Sequence, residues 1–124
     1  MTPRRTAVLI VMILAVIRLG AAAAQELAPA GPCDQPAAAH FDFWVGEWDV
    51  YDPQGRLAGH SLVEKILNGC TLFEQWSSQF GYDGKSINYY DPSVKKWYQT
   101  WINGTGGIIR YEGSLVNGAM QFHG

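Results

Sequence analysis

Residues 70–103 read CTLFEQWSSQFGYDGKSINYYDPSVKKWYQTWIN. Strand-like runs fill this stretch, and turn signals separate them. In the first run Leu72, Glu74, Trp76 and Ser78 alternate with Phe73 and Gln75. In the last, Trp97, Gln99 and Trp101 alternate with Tyr98, Thr100 and Ile102. Alternation with period two places each set on one face of a β-strand. Asp83-Gly84 and Asp91-Pro92 fall between the runs, where Gly tolerates positive φ and Pro pre-sets a type I turn.

The same punctuation continues on both sides. Asp52-Pro53-Gln54-Gly55, Asn68-Gly69, Asn103-Gly104 and Asn117-Gly118 mark further turns. The intervening strands are expected at Gly46–Asp52, Arg56–Leu67, Cys70–Phe80, Ser86–Asp91, Lys96–Asn103 and Ile108–Val116, with a seventh beginning at Ala119. Strands joined in sequence by tight turns form an antiparallel up-and-down meander. Such a meander tends to close into a barrel and so remove its edges. The fold class is therefore all-β. A two-sheet sandwich is disfavoured, because a Greek key needs a long return connection. His40-Phe41-Asp42-Phe43-Trp44 is too apolar for a free loop and is expected to form a short helical turn that plugs one barrel end.

Upstream, the chain reads as an export signal. Arg4 and Arg5 precede an apolar run from Ala7 to Ile17, and Ala22-Ala23-Ala24 supplies small residues for cleavage before Gln25. A spanning helix needs about 20 apolar residues, and Arg18 interrupts this run first, so no stable membrane span is expected after cleavage. The domain reading is a signal peptide at 1–24, a flexible Ala/Pro/Gly-rich linker at 25–39 and a β-barrel domain at 40–124. The expected location is secreted or periplasmic. Lys and Arg total 9 and Asp and Glu total 11. Loss of Arg4, Arg5 and Arg18 leaves six basic residues against eleven acidic, a net charge near −5. An acidic, aromatic-rich domain lacks the clustered cations that nucleic-acid binding needs. Cys33 and Cys70 both fall in the exported part, where one disulfide between them is expected; two free buried thiols are the alternative. No further Cys or close His pair accompanies either, which argues against a metal.

Phe41-Asp42-Phe43-Trp44-Val45-Gly46-Glu47-Trp48-Asp49-Val50 resembles the FDFWxGxWxV opening of an uncharacterised bacterial family, a domain of unknown function. The likeness extends through Asn68-Gly69-Cys70, Glu74 with Trp76, Ser86–Asp91 and Lys96–Trp101. Gly46-Glu47-Trp48 is also similar to the Gly-x-Trp of the first lipocalin strand. The resemblance implies a calycin-like barrel with an internal cavity and leaves the substrate unspecified. Such barrels have eight or ten strands; six and a half are counted here, so a barrel truncated at its C-terminus is expected, with an open edge that would invite self-association. Haem-binding relatives carry a Gly-rich first hairpin, which Asp49–Gly55 lacks, and no cofactor is expected.

If the Trp-bearing faces point inward, the interior holds Glu74, Trp76, Trp97, Gln99 and Trp101, joined by Asn88 and Tyr90 from the strand between. An apolar cavity with a few fixed polar groups suits a small apolar or aromatic molecule. Trp44 and Trp48 are expected to close the lower end. The blander alternative turns Glu74 and Gln99 to solvent. The leading functional expectation is a ligand-binding barrel. Two others are a protein-binding module, such as an inhibitor of a secreted enzyme, and an enzyme using a buried Glu74 as acid or base. No catalytic set is assigned. His40, His60 and His123 are scattered, Ser61 and Ser77 lack a nucleophile elbow, and Gly104-Thr105-Gly106-Gly107 lacks the Lys of a phosphate loop.

Overall fold

The computed structural model describes Gly31 and residues 33–124. The expected signal peptide and cleavage site lie outside the described residues. Seven strands form one sheet: β1 (Gly46–Tyr51), β2 (Leu57–Ile66), β3 (Thr71–Ser78), β4 (Asp83–Asp91), β5 (Lys96–Asn103), β6 (Ile108–Val116) and β7 (Ala119–His123). Every neighbour pair is antiparallel, and spatial order equals chain order. The meander is as expected. The sheet curls into a half-barrel whose edges, β1 and β7, each have one neighbour.

Turn chemistry explains most strand ends. Asn117 and Gly118 both take positive φ, 49° and 79°, as a two-residue type I′ turn requires, and Val116 pairs with Ala119 across it. Asn68-Gly69 is different. Leu67, Asn68 and Gly69 are all left-handed, and Ile66 pairs with Thr71, so the connection is four residues wide rather than two. Two successive reverse turns close it, Gly69 N–H donating to Ile66 O and Cys70 N–H to Leu67 O. The wider loop presents Cys70 to Cys33, and the two form the expected disulfide, with Cα atoms 5.1 Å apart.

The Asp83-Gly84 expectation needs correction. The turn lies earlier, around Gly81 (φ 84°), and β4 begins at Asp83 instead of Ser86. Gly84 sits within the strand, paired with Trp76 on one side and Asn103 on the other. Its role is spatial, since the Trp101 indole occupies the place a Cβ would take.

The linker expectation also changes. Cys33 is anchored by the disulfide, and Pro36–Ala39 forms a 3-10 turn whose Ala38 is buried. A second 3-10 turn follows at Asp42–Trp44. Together they form the plug. Phe41, between them, stacks on Trp44 at 4.7 Å and meets the Trp97 edge at 5.6 Å. Phe122 of β7 closes on it from the other side at 5.6 Å. The core is thus Phe41, Val63, Leu72 and Trp97, with Trp44, Tyr90, Met120 and Phe122 packed around it. It occupies one end of the concave face. Ile87, Tyr89, Ile102 and Ile108 on the convex face are exposed.

Candidate functional site

Register carries the alternation of each strand across the sheet. Val63 faces Glu74, Glu74 faces Ser86, and Ser86 faces Trp101. Leu72, Asn88, Gln99 and Tyr111 form the adjoining row. Directly opposed side chains on neighbouring strands lie about 4.5–5.5 Å apart, so these rows form one continuous concave surface. All seven residues expected to face a ligand (Glu74, Trp76, Asn88, Tyr90, Trp97, Gln99 and Trp101) share it.

That face divides into a covered end and an open end. At the covered end Trp97 is 3% exposed, its indole N–H donates to Ala37 O at 3.2 Å, and Tyr90 packs beside it at 6.0 Å. Trp97 belongs to the core and Tyr90 packs against it, and neither lines the opening. Beyond the plug lies a cleft of about 320 Å³ lined by Trp44, Glu74, Gln99, Trp101, Ile109 and Tyr111. Glu74, Gln99 and Trp101 are therefore the members of the expected set that line it. Trp44 closes its plug end as expected. Trp48 supports it, donating its indole N–H to Trp44 O at 2.7 Å. Ile109 and Tyr111 were missed, although Ile109-Arg110-Tyr111-Glu112 alternates apolar with charged residues and so sets both on one face.

The polar floor is a directed chain. Asn88, fully buried, donates through Nδ2 to Leu72 O (3.2 Å) and Ser86 Oγ (2.8 Å). Ser86 Oγ donates to Glu74 Oε2 at 2.8 Å, and Ser61 Oγ donates to Glu74 Oε1 at 2.9 Å. Gln99 Nε2 reaches Ser86 Oγ at 3.4 Å. Each carboxylate oxygen thus accepts one serine hydroxyl, which holds the half-buried group in a single orientation. Asn88 Oδ1 is buried without a hydrogen-bond partner. Burying an amide acceptor unpaired is unfavourable, so this floor has unused capacity for a donor.

Ser61 and Ser86 were not selected from the sequence, although a signal for them exists. Gly59-His60-Ser61 recurs 25 residues later as Gly84-Lys85-Ser86, and Glu74-Gln75-Trp76 recurs at the same interval as Gln99-Thr100-Trp101. The hairpins β2–β3 and β4–β5 repeat one arrangement, a serine beside an acid or amide and a Trp ring laid over a strand glycine. Trp76 covers Gly59 as Trp101 covers Gly84. A Cβ at residue 84 would stand 2.6–2.8 Å from the Trp101 ring. Gly84→Ala is therefore expected to cost about 1–3 kcal/mol by overpacking. It should also turn the indole into the cleft, read as a shifted Trp emission maximum and a lowered melting temperature.

The electrostatics of this face follow from where the cations are. Among the described residues, Lys65 is the strand cation on the concave side, and it is paired with Asp42 at 2.7 Å beside the plug. Lys85 lies on the convex face over Phe73 and donates to Gln75, and Arg56 is held by Asp52 in the first turn. Lys96 and Glu112 form a convex-face pair at 2.8 Å. Their hydrogen bond raises the Lys96 pKa and lowers that of Glu112, against a smaller opposing desolvation. None of these reaches Glu74, whose hydrogen-bond partners among the described residues are the two serines.

A larger cleft of about 510 Å³ lies along β1–β3, lined by Glu47, Asp49, His60, Leu62, Gln75 and Ser77 with Trp48 and Ser61. Asp49, His60 and Ser77 stand abreast across the three strands. His60 Nδ1 lies 2.7 Å from Asp49 Oδ1, and both side chains are more than half exposed. A wet pair of this kind contributes little, and His60 makes no hydrogen bond to Ser77 among the described contacts, so the row has no activated nucleophile. Among the described residues, no helix is long and apolar enough to cross a membrane, and no three His, Cys, Asp or Glu converge to hold a metal. No family model, curated protein or solved structure matches the chain.

Proposed function

We propose that this chain is an exported, disulfide-bonded half-barrel that binds a small, mostly apolar molecule in the cleft between the plug and strands β3, β5 and β6. The observation that carries this reading is the cleft, with Trp44, Trp101, Tyr111 and Ile109 as walls and Glu74 and Gln99 as fixed polar groups. Small-molecule sites have this composition: mostly apolar, concave, with few oriented polar groups. The likeness to calycin barrels, drawn from residues 41–50, points the same way. Glu74 acting as an acid or base has less support, because its contacts are serine hydroxyls that orient it and supply no partner for proton transfer.

A ligand that binds only the folded state stabilises it by mass action, by about 2.7 kcal/mol at one hundred times its Kd. Thermal melting against a panel of small lipophiles should therefore raise the melting temperature in a concentration-dependent way. Trp101→Ala should remove that rise. A panel that shifts neither melting nor Trp fluorescence refutes the reading.

The open edges favour a second reading, a module that takes a partner strand or a second copy of itself along β1 or β7. Val50 and Tyr51 are exposed on β1, and β1 has its second edge unpaired. Sedimentation across a concentration series tests self-association. Export itself is tested by intact mass. Protein recovered outside the cytoplasm should begin at Gln25, and a species retaining Met1 would contradict the signal reading.

A further inference from the structure

We infer that the ligand's polar end is cationic: the cleft takes the ammonium group of an amphipathic amine, with its charge against Glu74 and its apolar body between Trp101, Tyr111 and Ile109. This rests on the small-molecule reading above and adds the chemical class.

The first observation is a missing countercharge. Glu74 lines the cleft with both oxygens held by Ser61 and Ser86. Among the described residues, the basic side chains near it are engaged elsewhere or stand on the opposite face: Lys65 with Asp42, Lys85 with Gln75, Lys96 with Glu112. Glu74 is half-buried, so water can reach its carboxylate in the open cleft. A neutral apolar ligand would displace that water and leave a charge uncompensated, which is strongly unfavourable. An anionic ligand would add repulsion. A cation removes the penalty by supplying the missing charge.

The walls supply the second observation. Trp44, Trp101 and Tyr111 surround the same cleft. Indole and phenol faces carry a negative quadrupole that attracts ammonium groups, most strongly once water has been displaced. The third is the unpaired Asn88 Oδ1, fully buried on the same face and opposite Gln99, which lines the cleft. Gln99 can leave Ser86 Oγ, which it meets at a long 3.4 Å, for that oxygen. With Nε2 given to a buried acceptor in either position, Oε1 is the Gln99 amide atom left to accept from a donor-rich head in the cleft. The chain's net negative charge would further favour approach of a cation.

The test uses the full-length exported protein and three ligands of one body: octylammonium, 1-octanol and octanoate. Binding is read by Trp fluorescence and calorimetry. Octylammonium should bind roughly tenfold or more tightly than 1-octanol, the ratio a charge-assisted contact confers, and octanoate most weakly. The preference should shrink as salt rises. In Glu74→Gln, which keeps the side-chain shape, octylammonium and 1-octanol should bind alike. Equal binding of the two by the unaltered protein overturns the cationic assignment and leaves the apolar cleft standing. A preference that survives in Glu74→Gln also overturns it, because the charge recognised would lie elsewhere. Absence of binding by all three, together with a lipophile panel that leaves melting unchanged, removes both this inference and the reading beneath it. The comparison within the unaltered protein decides the matter even if the variant fails to fold.

Discussion

Trp97→Ala is expected to lower stability by about 3–5 kcal/mol, the cost of removing a large aromatic side chain from a packed interior. Trp97 is 3% exposed and joins three parts of the molecule. It meets Phe41 of the plug in a T-shaped pair, packs at a tilt beside Tyr90 of β4, and gives its indole N–H to Ala37 O. Alanine would leave a void under the plug, directly beneath Phe41. A domain of this size has about 5–15 kcal/mol in total, so the loss is a large share of it, and the melting temperature should fall by about 12–40 °C. Urea unfolding followed by circular dichroism measures the loss. Trp97→Phe separates packing from hydrogen bonding, because it keeps a ring against Phe41 and gives up only the bond to Ala37, about 1 kcal/mol. Trp101→Ala is the contrast. Trp101 is half-buried at the cleft rather than enclosed, so its loss should cost about 1–2 kcal/mol, in proportion to the apolar area it covers. Equal losses at 97 and 101 would mean that the plug does not shelter Trp97.

Reducing the Cys33–Cys70 bridge is expected to cost about 3–4 kcal/mol. The two residues are 37 apart in the chain. In the chain-entropy model a loop of that length removes about that much free energy from the unfolded ensemble's advantage. The bridge also has a local consequence. It ties the segment before the first 3-10 turn to the β2–β3 connection, and therefore holds Ala37 and Ala38 where β5 can use them. Each kcal/mol shifts the melting temperature of a domain this small by about 4–8 °C. Melting with and without reductant should consequently differ by about 12–32 °C. The double variant Cys33→Ser with Cys70→Ser should reproduce the reduced value and show no response to reductant. If reduction leaves melting unchanged, Phe41 alone anchors the plug and the loop adds nothing.

The two losses should be partly coupled, since both act on the plug. Trp97→Ala in the reduced protein is expected to cost less than the sum, because an unanchored plug no longer encloses residue 97. The cleft beyond the plug would widen in both variants. Ligand affinity should then fall together with plug stability, even though neither Trp97 nor the cysteines line the cleft.

Several features were legible from residues alone because their causes are local. Period-two alternation is a property of extended backbone, so Leu72, Glu74 and Trp76 had to share a face, as did Trp97, Gln99 and Trp101. Asn117-Gly118 is a turn because both residues tolerate positive φ, which few other pairs do. The order of strands followed from the shortness of the connections. The cysteine pair followed from there being only two.

What the tertiary structure alone decided is which part of that shared face is covered and which is open. Phe41 and Ala37 reach Trp97 across about sixty residues of chain, and no local pattern announces that they dock over Trp97 and Tyr90 instead of over Trp101. Asp83-Gly84 carries the chemistry of a turn, yet Gly84 is spent under an indole from the next strand, a steric demand visible only once β4 and β5 lie side by side. Ser61 and Ser86 are unremarkable in their own strands, and the register of three strands brings both hydroxyls onto one carboxylate. Backbone geometry fixes which way each side chain points. Non-local packing selects which of them end up buried together, and it leaves Glu74 facing an aromatic cleft with no cation of the sheet's own beside it.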